Sequence, residues 1–471
     1  GGDTDNWIWP RHTGDFSMFR VYASKDNRPA AYSPQNVPYR PKKHFSISTK
    51  GVKEGDFTMI YGFPGNTQEY ILSDAVAYIA ERSDPAKIAI RTGRLDIITK
   101  AQESDPALRI HYAAKHASIA NAWKKWQGEA LGIDRRGTVA AKFDYETQFG
   151  LWSVGRPEYA GVVMGLRAEY DRIMDAYFAY EITRETLSTL PAAYTPEERA
   201  EECFARRKFA EQALWRHAFR EYGRCPKVYR TPSYAEGMAR YKSPEAYADA
   251  LFEAVWEGSD SVAMQPAVRL REETKRMLDH ISWMLGTKSL RNLNSKILNE
   301  LYTTYIKGLR EWDRERAFYP DANLTLRVAY GSVAGYEYAD GEYHKPQTTL
   351  DGIIAKDNPE IYDYDIPQSL RDLYASKNYG RWGTVIDGRR TVPVCFLATN
   401  HTTGGNSGSP VLNAGGELIG INFDRTWRST MSDIAFDPAI CRNIAVDIRY
   451  VLFVVDRVGG AGYLLKEMTL K

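Results

Sequence analysis

The chain has 471 residues, enough for two or three domains, and its 43% apolar and 26% charged content is typical of a globular protein. Its formal net charge of +2 gives no reason to expect nucleic acid or a membrane surface as a partner. No run of 18 apolar residues occurs, so the sequence predicts no membrane-spanning helix.

The N-terminal stretch, residues 1–66, is predicted to consist of strands and turns. Strands are predicted at residues 16–22 and 57–63, and the second ends at a Pro-Gly-Asn turn. The chain starts with two glycines and has no initiator methionine, basic segment or apolar leader. We therefore expect it to be the inside of a longer protein whose signal peptide has been removed.

Residues 67–318 have a helical pattern. Thr195, Pro196 and Glu198 form a predicted capping box with proline at the first helical position, and Ser243 with Pro244 begins another helix in the same way. Apolar residues recur at helical spacing between Ile297 and Leu309. The sequence predicts a large helical domain here.

Strand patterns return over residues 319–471. Strands are predicted at 325–331, 392–399, 410–413 and 418–423, whereas residues 444–455 are apolar at helical spacing and predict a helix. Neither β segment is large enough to stand alone. The two segments, 1–66 and 319–471, are therefore expected to form one domain, with the helical block inserted between them and placed beside or over its site.

The most informative motif is G-N-S-G-S-P at residues 405–410, between two predicted strands. A serine nucleophile must project from a tight turn whose N–H groups point at the oxyanion that forms on attack. Ser407 is the candidate nucleophile, and the N–H groups of Gly405 and Ser407 are the candidate oxyanion hole. The alternative is a Gly/Ser-rich surface loop without catalytic function.

A serine nucleophile also needs a general base, and two of the eight histidines lie near motifs. His401 is six residues before Ser407, and His12 is three residues before Asp15. Neither spacing is typical of a chymotrypsin-like triad, so the base is expected upstream of Gly1.

The four cysteines have no C-x-x-C spacing and no histidine partner in sequence, so no metal site is predicted. Cys203 and Cys225 lie in a helical stretch and could form a disulfide in an oxidising compartment. Buried thiols at Cys203, Cys225, Cys395 and Cys441 are the equally weighted alternative.

Three motifs resemble the bacterial serine dipeptidyl peptidases that include dipeptidyl peptidases 7 and 11. Residues 5–16 read D-N-W-I-W-P-R-H-T-G-D-F, residues 404–410 match the family's nucleophile motif, and residues 118–124 are similar to its helical-domain motif. The resemblance implies a β plus α fold, a chymotrypsin-like double β-barrel with a large inserted α-helical domain. It also implies release of dipeptides from peptide N-termini without a metal or organic cofactor.

By the same resemblance, Ser407 is the nucleophile and Asp15 the triad aspartate. The family's histidine lies in a T-A-x-H-C motif that does not occur in this sequence. The resemblance thus implies that the N-terminal part of the barrels is missing and that the isolated chain lacks a complete triad. In this chain, the resemblance assigns binding of the substrate's α-ammonium to Asn6, Trp7, Asn121 and Asp424.

Arg425 occupies the position that determines specificity in that family. Members with broad specificity have glycine there, whereas a guanidinium can pair bidentately with Asp or Glu at P1. The resemblance is therefore strongest to the dipeptidyl peptidase 11 branch, which is specific for acidic P1. Alternatively, Arg425 points to solvent or pairs with Asp424 or Asp433, or Arg428 supplies the charge.

Three functional hypotheses remain open from the sequence. The first is an acid-specific dipeptidyl peptidase, with a broad or hydrophobic P1 preference as its alternative. The second is a chymotrypsin-like endopeptidase, and the third is a binding module that holds peptides without cleaving them. The resemblance also implies a homodimer in the periplasm or at the surface of a Gram-negative bacterium.

Overall fold

A computed structural model shows two compact units. One combines Gly1–Glu69 with Asp321–Lys471, and the other is Tyr70–Pro320. Among the described residues, no helix has both the length and the apolar character needed to cross a membrane. The described residues are 2–14, 16–258, 260–287, 290 and 292–471.

Strands occur only in the first unit, as far as the described residues show. They are short and are separated by loops and turns. In chain order they are β1 (Tyr22–Ala23), β2 (Val37–Pro38), β3 (Phe57–Gly62), β4 (Arg327–Ser332), β5 (Tyr336–Ala339), β6 (Glu342–His344), β7 (Gln347–Thr349), β8 (Thr384–Ile386), β9 (Arg389–Thr391), β10 (Pro393–Ala398), β11 (Ser409–Leu412), β12 (Leu418–Arg425) and β13 (Asn443–Asp447).

Seven of these strands form one antiparallel sheet in the order β4-β3-β11-β12-β13-β10-β7. A further antiparallel bridge joins Val333, just after β4, to Ala398 at the end of β10, so the sheet curls back on itself. Val394, Phe396 and Val446 are completely buried in its core. The central position of β12 places its C-terminal residues inside the unit.

Helices make up the second unit and also flank the sheet of the first. Those of the second unit are α1 (Ser73–Ala77), α2 (Asp84–Ser104), α3 (Pro106–Arg135), α4 (Thr138–Ser153), α5 (Val162–Glu185), α6 (Pro196–Ala200), α7 (Lys208–Tyr222), α8 (Pro232–Tyr241), α9 (Pro244–Glu257), α10 (Ser261–Leu285) and α11 (Lys296–Trp312). Those of the first unit are α12 (Leu350–Ala355), α13 (Gln368–Ser376) and α14 (Ile448–Phe453).

The predicted helix starts are confirmed. The Thr195 side chain accepts from the Glu198 amide while the Glu198 side chain accepts from the Thr195 amide, which is a complete capping box. Ser243 caps α9 through the Ala246 amide. The predicted mixture of β and α structure is likewise confirmed, whereas the double β-barrel stays a prediction.

Two predicted elements are wrong. Residues 16–22 do not form a strand: only Tyr22–Ala23 pairs, and the side chains of residues 17–22 are exposed, so no neighbouring strand covers them. Residues 444–455 are not one helix, because Asn443–Asp447 is a buried sheet strand and the helix begins at Ile448. An apolar run that is buried on all sides fits either element, and periodicity alone does not separate them.

The cysteines, all within the described residues, are buried thiols and not disulfides. The possible bridge between Cys203 and Cys225 is therefore absent in this structure. Burial raises the pKa of the Cys225 thiol to about 11, which keeps it protonated and unreactive at neutral pH.

Candidate active site

Ser407 lies on an exposed turn between β10 and β11. Its Oγ donates to the carbonyl oxygen of Phe423 in β12 over 3.3 Å. Gly405 has φ +104° and Gly408 has φ +82°, so the turn needs glycine on both sides of the serine. A side chain at position 405 would also collide with the Phe63 carbonyl oxygen.

Buried asparagine side chains hold this turn in place. Asn406 accepts at its Oδ1 from the Thr403 amide over 3.1 Å, and its carbonyl accepts from Asn422 Nδ2 over 3.1 Å. The Gly408 amide donates to the Asn422 carbonyl over 2.8 Å, and the Gly65 amide donates to the Gly404 carbonyl over 2.6 Å. These hydrogen bonds fix the backbone of the turn that carries Ser407.

The amide groups proposed for the oxyanion hole belong to the same turn. Within the part of the chain that the structure describes, the N–H groups of Gly405 and Ser407 donate to no protein acceptor. Both residues are exposed, so a substrate carbonyl oxygen can reach these donors.

His401 is not placed as a base for Ser407, because both of its ring nitrogens face other groups. His401 Nε2 donates to the Ser432 carbonyl over 2.9 Å, and its Nδ1 lies 3.4 Å from Glu69 Oε1. Burial lowers the pKa of His401, and burial beside Lys356 lowers the pKa of His12 to about 4. Asp15, the predicted triad aspartate, lies outside the described residues.

Asp424, near the end of β12, is the acidic residue of the predicted amine site. Its Oδ2 accepts from the Trp7 amide over 2.9 Å and from Arg11 Nη1 over 2.8 Å. Its Oδ1 accepts from the Arg425 amide over 2.8 Å. Burial raises the pKa of the Asp424 carboxyl, and the Arg11 guanidinium opposes that shift. Arg11 was not predicted as the counter-ion, because it is 413 residues away from Asp424 in sequence.

Trp7 joins the N-terminal segment to β12 and its continuation. It has φ +67°, a conformation that costs energy for a tryptophan, and its carbonyl accepts from the Trp427 amide over 2.7 Å. Its indole ring lies 5.3 Å from the Arg425 guanidinium carbon. Trp7 therefore contacts Asp424 through its backbone and Arg425 through its ring.

The other two residues of the predicted amine site occupy different parts of the chain. Asn6 is half-buried next to Trp7, so it belongs to the same loop. Asn121 lies in α3 of the helical unit, and its side chain is exposed. The structure thus brings together Trp7, Asp424 and Arg425 in the first unit.

Arg425 is only 5% exposed, so the alternative in which it points to solvent is wrong. Its Nη1 and Nη2 donate to the two carboxylate oxygens of Asp433 over 2.6 and 2.9 Å. Nη1 also contacts Ser432 Oγ at 2.8 Å and the Thr402 carbonyl at 3.2 Å. The guanidinium is therefore held by several hydrogen bonds, one of them to the loop that precedes Ser407.

One possible metal-ligand group occurs among the described residues, in the helical unit. Atoms of His111, Glu201 and Cys203 lie within 4.8 Å of one another, a cluster that sequence spacing did not reveal. Arg207 Nη1 already donates to Glu201 Oε2 over 2.9 Å and contacts His111 Nε2 at 2.6 Å. Because a guanidinium neutralises the carboxylate there, the group is better described as an ion pair than as a metal site.

Comparison with known proteins connects this geometry to a family. The model of the family described as Peptidase S46 matches residues 1–212 and 192–470. An Asp/Glu-specific dipeptidyl-peptidase of Capnocytophaga gingivalis is 41% identical over 100% of this chain and 71% of its own length. A dipeptidyl-peptidase 7 of Phocaeicola vulgatus is 34% identical over 100% of this chain and 70% of its own length.

A solved structure agrees with these sequence matches. The crystal structure of Porphyromonas endodontalis DPP11 in complex with the dipeptide Arg-Glu superposes with a TM-score of 0.82 and 32% identity. The superposition covers 100% of this chain and 72% of that chain. The fold described above is therefore one that a crystallised dipeptidyl peptidase shares.

Proposed function

The chain belongs to the peptidase S46 family and is a serine dipeptidyl peptidase, and from this premise we propose that it releases dipeptides with Asp or Glu at P1. The observation that carries the P1 preference is the buried guanidinium of Arg425, which donates to the Thr402 carbonyl in the loop before Ser407. The similarity to proteins named as Asp/Glu-specific dipeptidyl-peptidases supports the same preference.

In the proposed reaction, Ser407 Oγ attacks the carbonyl carbon after the second substrate residue. A histidine oriented by Asp15 accepts the serine proton and then passes it to the leaving amine, which gives an acyl-enzyme. The N–H groups of Gly405 and Ser407 stabilise the oxyanion. Water then hydrolyses the acyl-enzyme and releases the dipeptide.

An exopeptidase must also recognise the substrate's α-ammonium. We assign this to the carboxylate of Asp424, together with Asn6 and Trp7. The Arg11 guanidinium favours the ionised form of Asp424 inside the unit, and the Trp7 and Arg425 amides fix its orientation. A carboxylate held in this way can add one further charge-assisted hydrogen bond without moving.

Arg425 is suited to bind an acidic P1 side chain because it lies close to the nucleophile along two hydrogen-bonded routes. It is two residues after Phe423, whose carbonyl accepts from Ser407 Oγ, and its Nη1 contacts the Thr402 carbonyl in the Ser407 loop. A guanidinium pairs with a carboxylate through two parallel hydrogen bonds, which a neutral P1 side chain cannot form.

One observation favours the second candidate, a dipeptidyl peptidase with a hydrophobic or broad P1 preference. Asp433 already pairs with both terminal nitrogens of Arg425, so the cation is neutralised before substrate arrives. The similarity to proteins named dipeptidyl-peptidase 7 is in keeping with this alternative.

The test compares fluorogenic dipeptidyl substrates with Asp or Leu at P1, hydrolysed by the full-length protein and its Arg425→Gln variant. We expect the wild type to prefer Asp, and the variant to lose about 100-fold in kcat/KM on Asp with little change on Leu. Arg449→Gln is the matched control, because Arg449 forms the same kind of buried bidentate pair with Asp447.

The outcomes separate the candidates. A wild-type preference for Leu would contradict the acidic specificity and support the second candidate. Equal losses on both substrates in Arg425→Gln would indicate that Arg425 only stabilises the fold. Cleavage of an N-acetylated substrate at a rate similar to that of the unblocked one would point instead to an endopeptidase.

A further inference from the structure

Asp433 has no role in the proposed reaction, although its side chain lies directly against Arg425, the proposed specificity residue. It ends the 3₁₀-helix Trp427–Asp433 that follows β12. Both of its carboxylate oxygens accept from Arg425, over 2.6 and 2.9 Å, and its side chain is 13% exposed. Its carbonyl accepts from the Gln68 amide over 2.6 Å, which fixes its backbone as well.

We propose that Asp433 is a specificity-determining residue: its negative charge sets how strongly the S1 site prefers acidic over neutral P1 side chains. This inference rests on the proposed function, because it assumes that the P1 side chain reaches Arg425. Asp433 acts through Arg425 and does not need to touch the substrate, so it is a positioning and charge-balancing residue.

The physical reason is that two carboxylates must share one guanidinium when an acidic substrate binds. The P1 carboxylate gains the attraction of Arg425 and at the same time meets the repulsion of Asp433, so part of the gain is cancelled. A neutral P1 side chain does not suffer this repulsion. It also does not bury an uncompensated cation, because Asp433 stays paired with Arg425.

The net charge around Arg425 is set mainly by Asp433, because the neighbouring charged residues have other partners. Asp424, the other carboxylate next to Arg425 in β12, is itself paired with Arg11. Arg428 lies with its guanidinium carbon 4.5 Å from the Tyr338 ring centre. Removing the charge of Asp433 therefore leaves one extra positive charge at Arg425.

Arg425 has supports that do not depend on the Asp433 charge. Ser432 Oγ and the Thr402 carbonyl accept from Nη1, and the Trp7 indole lies against the guanidinium. An asparagine at position 433 can still accept one hydrogen bond. The cation should thus keep its place when position 433 becomes neutral, and only the local charge should change.

The experiment measures kcat/KM for P1-Asp and P1-Leu dipeptidyl substrates in the full-length wild type and in Asp433→Asn. The quantity of interest is the ratio of kcat/KM on the Asp substrate to kcat/KM on the Leu substrate. The concentration of active enzyme is determined by titration with a fluorophosphonate. We expect the ratio to rise roughly tenfold in Asp433→Asn, with the improvement on Asp appearing mainly in KM.

Two further variants control for structural effects. Asp447→Asn removes the acidic partner of another buried bidentate pair, that of Arg449, and should leave the Asp/Leu ratio unchanged. Asp433→Glu keeps the charge and should keep the ratio within about threefold of the wild type. Asp433→Ser is the second neutral variant if Asp433→Asn does not fold, and it should raise the ratio in the same direction.

The wild-type ratio and the change in ratio test different statements. A wild type that prefers Leu contradicts the proposed function, but a rise in the ratio on neutralising Asp433 would still support the role of Asp433. A ratio that stays the same or falls in both neutral variants overturns the inference, and it does so even if the wild type is acid-specific.

Discussion

Both units bury charged side chains, but they pair them in different ways. In the sheet unit, three carboxylates inside the fold each form an ion pair with a buried arginine: Asp424 with Arg11, Asp433 with Arg425, and Asp447 with Arg449. The last two pairs join residues that are eight and two positions apart in sequence.

In the helical unit, the side chains of Glu146 and Lys87 each connect different helices. Glu146 in α4 accepts from the amide and the hydroxyl of Ser73 and from Arg167 in α5. Lys87 in α2 pairs with Asp84 and with Glu181 of α5. These bonds connect helices to one another, which is what a helical unit needs when its polar groups are buried.

The difference shows that buried charge alone does not identify a functional site. Burial raises the pKa of Tyr112 and of Tyr170 in the helical unit well above the usual value, yet both hydroxyls are hydrogen-bonded inside the fold. The sheet unit differs because its Asp433–Arg425 pair is hydrogen-bonded to the loop that leads to an exposed serine on a glycine turn.

The largest effect is expected for Ser407→Ala, which removes the proposed nucleophile. We expect kcat/KM on a dipeptidyl substrate to fall by at least about 10⁴-fold, because no other group can form the acyl-enzyme. The thermal unfolding temperature should not change, since Ser407 is exposed and makes one 3.3 Å hydrogen bond.

The control for that variant is Ser376→Ala. Ser376 is an exposed serine of α13 whose Oγ donates to a carbonyl of the same helix. Its activity should equal that of the wild type, and a fluorophosphonate should label it as it labels the wild type. Activity retained in Ser407→Ala would contradict the assignment of the nucleophile.

A smaller effect is expected for Asp424→Asn, which removes the proposed counter-charge of the substrate ammonium. We expect kcat/KM to fall about 100-fold, mainly through KM, on substrates with an unblocked N-terminus. Stability should fall as well, because Arg11 loses its acidic partner inside the unit.

Asp447→Asn is again the matched control, since it also leaves a buried arginine without its carboxylate. It should lose stability with little change in KM. If the two variants raise KM equally, Asp424 stabilises the unit and does not bind the ammonium. The Asp424–Arg11 pair would then be structural, like the Asp447–Arg449 pair.

Much of the fold could be predicted from local sequence, for reasons that particular residues make clear. Thr195 with Glu198 and Ser243 with Ala246 form caps within three residues, so nothing distant is needed to recognise them. The predicted strand at 57–63 is confirmed as β3, which has neighbours on both sides. Residues 16–22 have similar residue types, but most of them have no partner strand, and sequence does not specify pairing.

In the candidate site, too, local features could be predicted from sequence and contacts between distant or alternative partners could not. The Ser407 turn was predictable because its glycines are required by backbone conformation, which the structure shows at Gly405 and Gly408. The partner of Arg425 was not, since Asp424 and Asp433 are both near in sequence and the choice depends on how the 3₁₀-helix Trp427–Asp433 folds back. Likewise, His111 and Cys203 meet only because helices pack, and their sequence separation hides the contact.

The smallest effect is expected in the helical unit, for Glu146→Gln. This change keeps the size of the side chain but removes the charge that pairs with Arg167, and it weakens the two bonds from Ser73. We expect the free energy of unfolding to fall by about 1–3 kcal/mol, measured by urea denaturation. We expect kcat/KM on a dipeptidyl substrate to stay within about twofold of the wild type, because a stabilising contact affects the amount of folded protein and not its chemistry.

The control for this variant is Glu103→Gln, an exposed glutamate near the end of α2, which should change the unfolding free energy by less than about 0.5 kcal/mol. A loss of kcat/KM in Glu146→Gln at unchanged stability would contradict the comparison, because it would give a buried charge of the helical unit a role in the reaction. A loss of stability at unchanged kcat/KM would instead support it: buried charges would then serve structure in one unit and chemistry only where they adjoin Ser407.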